Sequence, residues 1–216
     1  MSIKINYSNK LTSKSSANLV LFVEKNFNIN GLKKYISNIE FYYISDLLKN
    51  SDLKKKILSF DLSSKKKIIL INIKDKTDSS GVENLGAELC DFIKLNKIKN
   101  IAINSNSLQA KPGKDFVGRF LHGLKLKSYE FNKYKSKKET RTTDINIFGD
   151  KNKLSAQNQL KFRALEEGTF YARDLVSEPG NILHPDEYAK RLSSLKKYGL
   201  KIYIYDSKKL KKLGMN

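Results

Sequence analysis

The sequence contains one cysteine, two histidines and three prolines in 216 residues, and it has no tryptophan. A single cysteine excludes an internal disulfide framework, so a reduced, cytoplasmic setting is the simplest interpretation. The chain also lacks any run of eighteen apolar residues, which excludes a membrane-spanning helix. Its first residues lack the apolar stretch of a signal peptide. We therefore expect a cytoplasmic protein with no membrane partner.

Arginine is scarce in a strongly basic chain. The net charge is +20, but only five of the 42 basic residues are arginine. Arginine is the side chain that favours base readout and bidentate phosphate contacts. The lysine runs are dispersed over residues 54–56, 65–67, 133–138 and 208–212. We therefore expect no specific nucleic-acid partner, although this charge predicts salt-sensitive, non-specific binding to polyanions.

Strands and helices alternate through the first 150 residues. Hydrophobic residues make up 39% of the chain, enough for a folded core. Runs of β-branched and apolar residues predict strands at 3–7, 18–23, 57–62, 67–73, 100–103 and 144–148. Apolar residues at helical spacing predict helices at 37–48, 81–96 and 113–124. This order predicts an α/β domain over residues 1–150, with a mixed or mostly parallel sheet flanked by helices.

The residues after 150 predict a long helix followed by the start of a second domain. Residues 155–176 have the pattern of a helix, with a narrow stripe of small and apolar residues spaced four apart: Leu160, Ala164, Gly168, Ala172 and Val176. We expect a linker helix within residues 151–178. Residues 179–216 then predict a helix from Pro185 to about 197, a strand at 201–205 and a helix at 207–213. Because one strand cannot form a stable sheet, we interpret 179–216 as the incomplete start of a second α/β domain.

The residues that could carry chemistry do not assemble into a reaction. His122 and His184 lack metal-ligand spacing, so His122 is interpreted as a structural histidine near a helix end and His184 as a helix cap. Cys90 lies within a predicted helix, as a small buried residue would. Asp174 and Glu178 are interpreted as part of a structural ion pair or cap, and residues 111–114 before a helix are a weak candidate for an anion site. We assign no catalytic, cofactor-binding or metal-binding residue.

Three stretches resemble the leucyl aminopeptidase family. The most specific is EEGTFYARDLVSEPGNILHP at 166–185, which is similar to the family's interdomain helix and the turn after it. GLKLKSYEFNKYKSKK at 123–138 and KKLKKLGM at 208–215 are similar to family stretches on either side. Ser177 stands where the family usually has Asn, and His184 where Thr or Ser usually caps a helix, so we expect α-helix capping by a hydroxyl to be lost there.

The resemblance implies a function as well as a fold. Family members join a smaller N-terminal α/β domain, similar to macro domains, through a long helix to a catalytic domain. That domain holds two divalent metal ions, Mn or Zn, and activates water against the first peptide bond of a peptide substrate. The family's metal ligands all follow the point that matches Asn216, so we carry no catalytic residue over and expect no metal on this chain.

Two functions are compatible with these sequence features. The first is the N-terminal portion of a cytosolic leucyl aminopeptidase, inactive by itself and monomeric or weakly self-associating, although the whole family forms hexamers. The alternative is a free-standing macro-like or basic polyanion-binding module.

Overall fold

The computed structural model describes residues 2–8, 18–24, 26–74, 77–108, 115–137, 141–149 and 154–215. The chain divides into two compact units, Met1–Gly168 and Thr169–Asn216. The division falls inside the long helix. The predicted domain boundaries at residues 150 and 178 stay a prediction.

The first unit is built on one six-stranded sheet, which confirms the predicted α/β class. Its strands are β1 (Ser2–Ser8), β2 (Asn18–Glu24), β3 (Ile57–Ser63), β4 (Lys66–Ile73), β5 (Asn100–Asn104) and β6 (Thr142–Phe148). The strand order is β1-β6-β5-β2-β4-β3. All neighbours are parallel except β3, which forms a hairpin with β4 at one edge. The sheet is therefore mostly parallel, and each predicted strand in residues 3–148 is present.

Both faces of the sheet are covered, because the central strands are apolar on both sides. In β2 the side chains of Val20 and Phe22 pack on one face, and those of Leu21 and Val23 on the other. The first face is covered by helices α2 (Ser79–Leu95) and α3 (Phe116–Lys127), and the second by α1 (Asn38–Lys49) and a 3-10 helix, Asn30–Lys34. A run that is continuously hydrophobic is what such a doubly covered strand requires.

Side-chain caps fix where two of these helices begin. Ser37 and Glu40 form a reciprocal capping box at the start of α1, and Asp78 accepts a hydrogen bond from the backbone N–H of Gly81 at the start of α2. Each cap satisfies backbone donors that a helix leaves unpaired in its first turn. The sequence therefore specifies these two starts locally.

Helices α2 and α3 cross with their backbones almost in contact. A Cβ added at Gly86 would lie 1.8 Å from the carbonyl oxygen of Phe120, and one added at Gly123 would lie 1.9 Å from the carbonyl oxygen of Glu83. The two glycines thus lie at the points of closest approach. Any side chain at either point would have to push the helices apart.

The second part of the chain contains helices α4 (Ala156–Ser177), which begins in the first unit, α5 (Pro185–Ser193) and α6 (Ser207–Lys212). Their predicted positions are confirmed, except that α5 ends early and continues as a 3-10 helix, Ser194–Tyr198. The predicted strand at 201–205 is wrong, since these residues have no regular structure. A strand needs a neighbour for its backbone N–H and C=O groups, and the described part of the second unit contains no other strand.

Candidate functional site

His122 and Glu166 meet in a buried contact between α3 and α4 within the first unit. The Nδ1 atom of His122 lies 3.6 Å from Oε1 of Glu166, with side chains only 10% and 14% exposed. The ring of Phe162, one turn before Glu166 on α4, lies 5.5 Å from the imidazole. Over the described residues Nδ1 has no hydrogen-bond partner. His122 lies at the centre of α3 and not near a helix end as predicted, because that helix continues to Lys127, beyond its predicted end.

Burial sets the charge state of this contact. It raises the pKa of Glu166 from its ordinary value of 4.5 to about 7 and lowers the pKa of His122. Burial, followed by the nearby Glu166, raises the pKa of Tyr7 to about 12. Near neutral pH the contact thus joins a largely neutral imidazole to a carboxyl group that is about half protonated. The surrounding charged groups are Lys125, Arg163 and Glu167 near Glu166, and Glu83 and Arg119 near His122.

These shifts predict how stability depends on pH. A raised carboxyl pKa means that the folded state holds the proton more tightly, so stability is present below pH 4.5 and is lost as the pH rises through about 7. The lowered pKa of His122 acts in the opposite direction, but only below its ordinary value of 6.5. Above pH 6.5 the Glu166 effect therefore outweighs that of His122.

A second polar cluster lies in the second unit and includes Glu178. Its carboxylate is 1% exposed and accepts a hydrogen bond from Nη1 of Arg191 at 2.9 Å. Nε of Arg191 donates to Oε1 of Glu187, also at 2.9 Å, and the Tyr171 hydroxyl donates to the Arg191 carbonyl. Glu178 and then Glu187 raise the pKa of Arg191. The interpretation of Glu178 as part of a structural ion pair is confirmed, and the partner is Arg191.

The other candidate residues occupy structural positions. His184 is the N-cap of α5 and makes no side-chain cap hydrogen bond, as expected when a hydroxyl is replaced. Cys90 is fully buried in α2, and burial raises the pKa of its thiol. The weak anion-site candidate at 111–114 lies outside the described residues.

No metal site can be built from the residues that the structure describes. They contain no group of three or more His, Cys, Asp or Glu side chains that could hold a metal ion. Across the same ranges, no helix is both long and apolar enough to cross a membrane.

The first unit contains a basic cavity that the sequence patterns did not predict. Its volume is about 790 Å³, and it lies where β4 ends and α2 begins. We define the basic cavity by its lining residues, which are Asn26, Leu53, Lys54, Lys55, Lys56, Asn72, Ile73, Lys74, Thr77, Gly81 and Leu85. The only signal in the sequence was the lysine run at 54–56, which by itself resembles any solvated surface.

Comparisons with known proteins point to one family. No protein-family model matches the chain. The probable cytosol aminopeptidase of Persephonella marina is 33% identical over 147 residues, which is 65% of this chain and 30% of that protein. That of Clostridium perfringens is 30% identical over 158 residues, 68% of this chain and 32% of that protein. The chain thus spans about a third of the length of these relatives.

Solved structures share the fold. A mutant of tomato leucine aminopeptidase matches 99% of this chain and 46% of its own, with a TM-score of 0.75 and 17% identity. The cytosol aminopeptidase of Coxiella burnetii matches 95% of this chain and 41% of its own, with a TM-score of 0.64 and 14% identity. The sequence relatives and the motif at 166–185 identify the chain as a member of the leucyl aminopeptidase family.

Proposed function

We propose that this chain provides the N-terminal α/β domain and connecting helix of a cytosolic, metal-dependent aminopeptidase that releases N-terminal amino acids from peptides. The observation that carries the proposal is the similarity of 97 to 158 residues to proteins named cytosol aminopeptidase. We propose peptide hydrolysis and hexamer formation for the whole enzyme, because this chain spans only part of the length of each relative.

The chain's own residues support a scaffolding role. Near the start of helix α4, the Asn158 side-chain amide donates a hydrogen bond to the Asp115 carboxylate at 3.0 Å. Glu166, at the middle of the helix, makes the buried contact with His122, and Glu178 follows the end of the helix, in the ion pair with Arg191. Each end is thus fixed to the unit in which it lies. A helix of 22 residues that is fixed at both ends suits a connection between domains.

In this proposal the metal ions are bound by the catalytic domain of the whole enzyme. A bottromycin maturation enzyme with the same fold was solved in complex with Mn, at a TM-score of 0.63 and 13% identity. The described residues of this chain do not fit such a centre, since they lack a cluster of ligands. We therefore derive no catalytic step from them and propose that the chain by itself does not hydrolyse peptides.

The activity of the purified 216-residue chain tests this point. Leucine p-nitroanilide is incubated with the chain and added Mn²⁺ or Zn²⁺, with the Clostridium perfringens relative as the positive control. We expect turnover by the relative and none by the chain above the metal-only control. Metal-dependent turnover by the chain would contradict the proposal.

A chimera tests the scaffolding role directly. The segment of the Clostridium perfringens enzyme that matches this chain is replaced by the chain's own residues, and folding is checked by thermal melting. We expect metal-dependent hydrolysis by the folded chimera. A chimera that melts cooperatively, binds metal and shows no activity would show that this chain does not serve as the enzyme's N-terminal domain.

A further inference from the structure

The basic cavity lies where ligands bind in open α/β sheets. It is lined by Ile73, the last residue of β4, and by Gly81 in the first turn of α2, while Asn26 follows shortly after the parallel strand β2. Ligands of such sheets characteristically bind outside the carboxyl ends of the strands. A volume of about 790 Å³ lies within the usual range for small-molecule and cofactor sites.

The walls of the cavity carry positive charge. Lys54, Lys55, Lys56 and Lys74 line it, and its described lining includes no acidic residue. Lys56 is paired with Glu88 at 2.5 Å, whereas the described residues provide no ion pair for the other three lysines. Like charges around one concavity repel each other, and a bound anion relieves that repulsion. The cavity is therefore suited to an anionic ligand.

The positive charge that attracts an anion comes from the lysines and not from the N-terminus of α2. The N-terminus of α2 is already capped, because the Asp78 carboxylate accepts the Gly81 N–H at 2.8 Å. A second anion at the same backbone groups would meet that carboxylate. The anionic group of a ligand is thus expected on the side of Lys54, Lys55 and Lys74.

Two further features describe the rest of the ligand. The Oδ1 atom of Asn72 is buried and accepts no hydrogen bond within the described part of the chain. A buried acceptor of this kind calls for a donor, which a ligand hydroxyl or amino group supplies. Leu53, Ile73 and Leu85 provide apolar wall, which suits a ring or another apolar portion.

We propose that the basic cavity binds a small phosphorylated ligand of about nucleotide size. Its phosphate contacts Lys54, Lys55 and Lys74, a donor group reaches Asn72, and its apolar portion packs against Leu53 and Leu85. This role is independent of peptide hydrolysis, and it goes beyond the scaffolding function proposed above.

Calorimetric titration of the 216-residue chain with AMP tests the proposal, with inorganic phosphate and adenosine as partial probes. The cavity variant is Lys54→Gln/Lys55→Gln, and the control is Lys208→Gln/Lys211→Gln, which removes the same charge from exposed positions of α6. Melting curves establish that both variants are folded.

We expect saturable 1:1 binding of AMP, stronger than that of either partial probe, and weaker binding from ~0.1 M to ~1 M salt. The cavity variant should bind AMP about fivefold more weakly or worse, and the control less than about twofold more weakly. An equal loss in both variants would overturn the proposal, since it would show attraction to net charge alone. The proposal would also be overturned if AMP showed no saturable binding. It would be overturned as well if only single-stranded RNA bound saturably and both variants lost that binding equally.

Discussion

Replacing Gly86 by alanine should separate helices α2 and α3. The added Cβ would lie 1.8 Å from the Phe120 carbonyl oxygen, a distance at which something must shift. The obstacle is backbone, so no side chain can rotate to make room, and the helices must move apart by about 1 Å or more. Overpacking of a core typically costs ~1–3 kcal/mol, and a backbone clash belongs at the upper end of that range.

Gly168 provides the matched control. A Cβ there meets nothing within 4 Å, and it lies within the regular helix α4. Alanine should therefore stabilise the chain by up to ~1 kcal/mol through its greater helix propensity. For a chain of this size 1 kcal/mol corresponds to ~2–4 °C, so Gly86→Ala should lower the melting temperature by ~6–12 °C and Gly168→Ala should raise it slightly.

Thermal and urea unfolding followed by circular dichroism measure both variants. Gly123→Ala is a second test from the opposite helix, because its Cβ would lie 1.9 Å from the Glu83 carbonyl oxygen. The double variant Gly86→Ala/Gly123→Ala should cost less than the sum of the two single variants, since helices separated by one clash already have room for the other. If the free energy of unfolding of Gly86→Ala lies within ~1 kcal/mol of that of Gly168→Ala, the close crossing of the two helices is refuted.

Three further predictions concern the rest of the chain. The wild-type free energy of unfolding should fall from pH 6.5 to 8 by somewhat less than ~1 kcal/mol, because the pKa of Glu166 is raised to about 7. Glu166→Gln should show no such fall over that window, and equal pH profiles in urea unfolding would contradict the assignment. Limited proteolysis should remove residues 181–216 before it cuts the sheet, and equal protection of the two would count against this expectation. Sedimentation velocity should show a monomer that associates weakly at high concentration, with little change in Gly168→Leu; a discrete hexamer would show that these residues carry the assembly contacts.

The sheet was predictable because its signals are local. The continuous apolar run of β2 predicts a strand covered on both faces, and β2 is buried on both. The turn between β3 and β4 predicts a hairpin, and the two strands pair antiparallel. The same local patterns misled at residues 201–205, where the β-branched and aromatic pattern is present but no strand forms. Strand formation depends on a neighbour, which a local pattern does not reveal.

The candidate sites depend on contacts between residues distant in sequence. His122 and Glu166 are 44 positions apart, and the residues next to each in the sequence do not indicate that the two side chains are buried together. Lys74 joins Lys54 and Lys55 in one cavity only because β4 brings the two loops together at the end of the sheet.

Helix α4 presents two different sides, and this fits a connecting element. Phe162 and Glu166 lie on the side that packs in the first unit, where Phe162 is 8% exposed. Leu160 is two residues from Phe162, about 200° around the helix, and so begins the opposite side. The predicted stripe starts there and turns by about 40° with each four-residue step, and all five of its residues are exposed, with Leu160 at 65% and Val176 at 86%. Small and apolar residues spaced four apart over 17 residues are costly to leave in water. In the proposed function the catalytic part of the enzyme covers this exposed stripe, which predicts that Gly168→Leu is tolerated by the 216-residue chain and damaging in a full-length aminopeptidase.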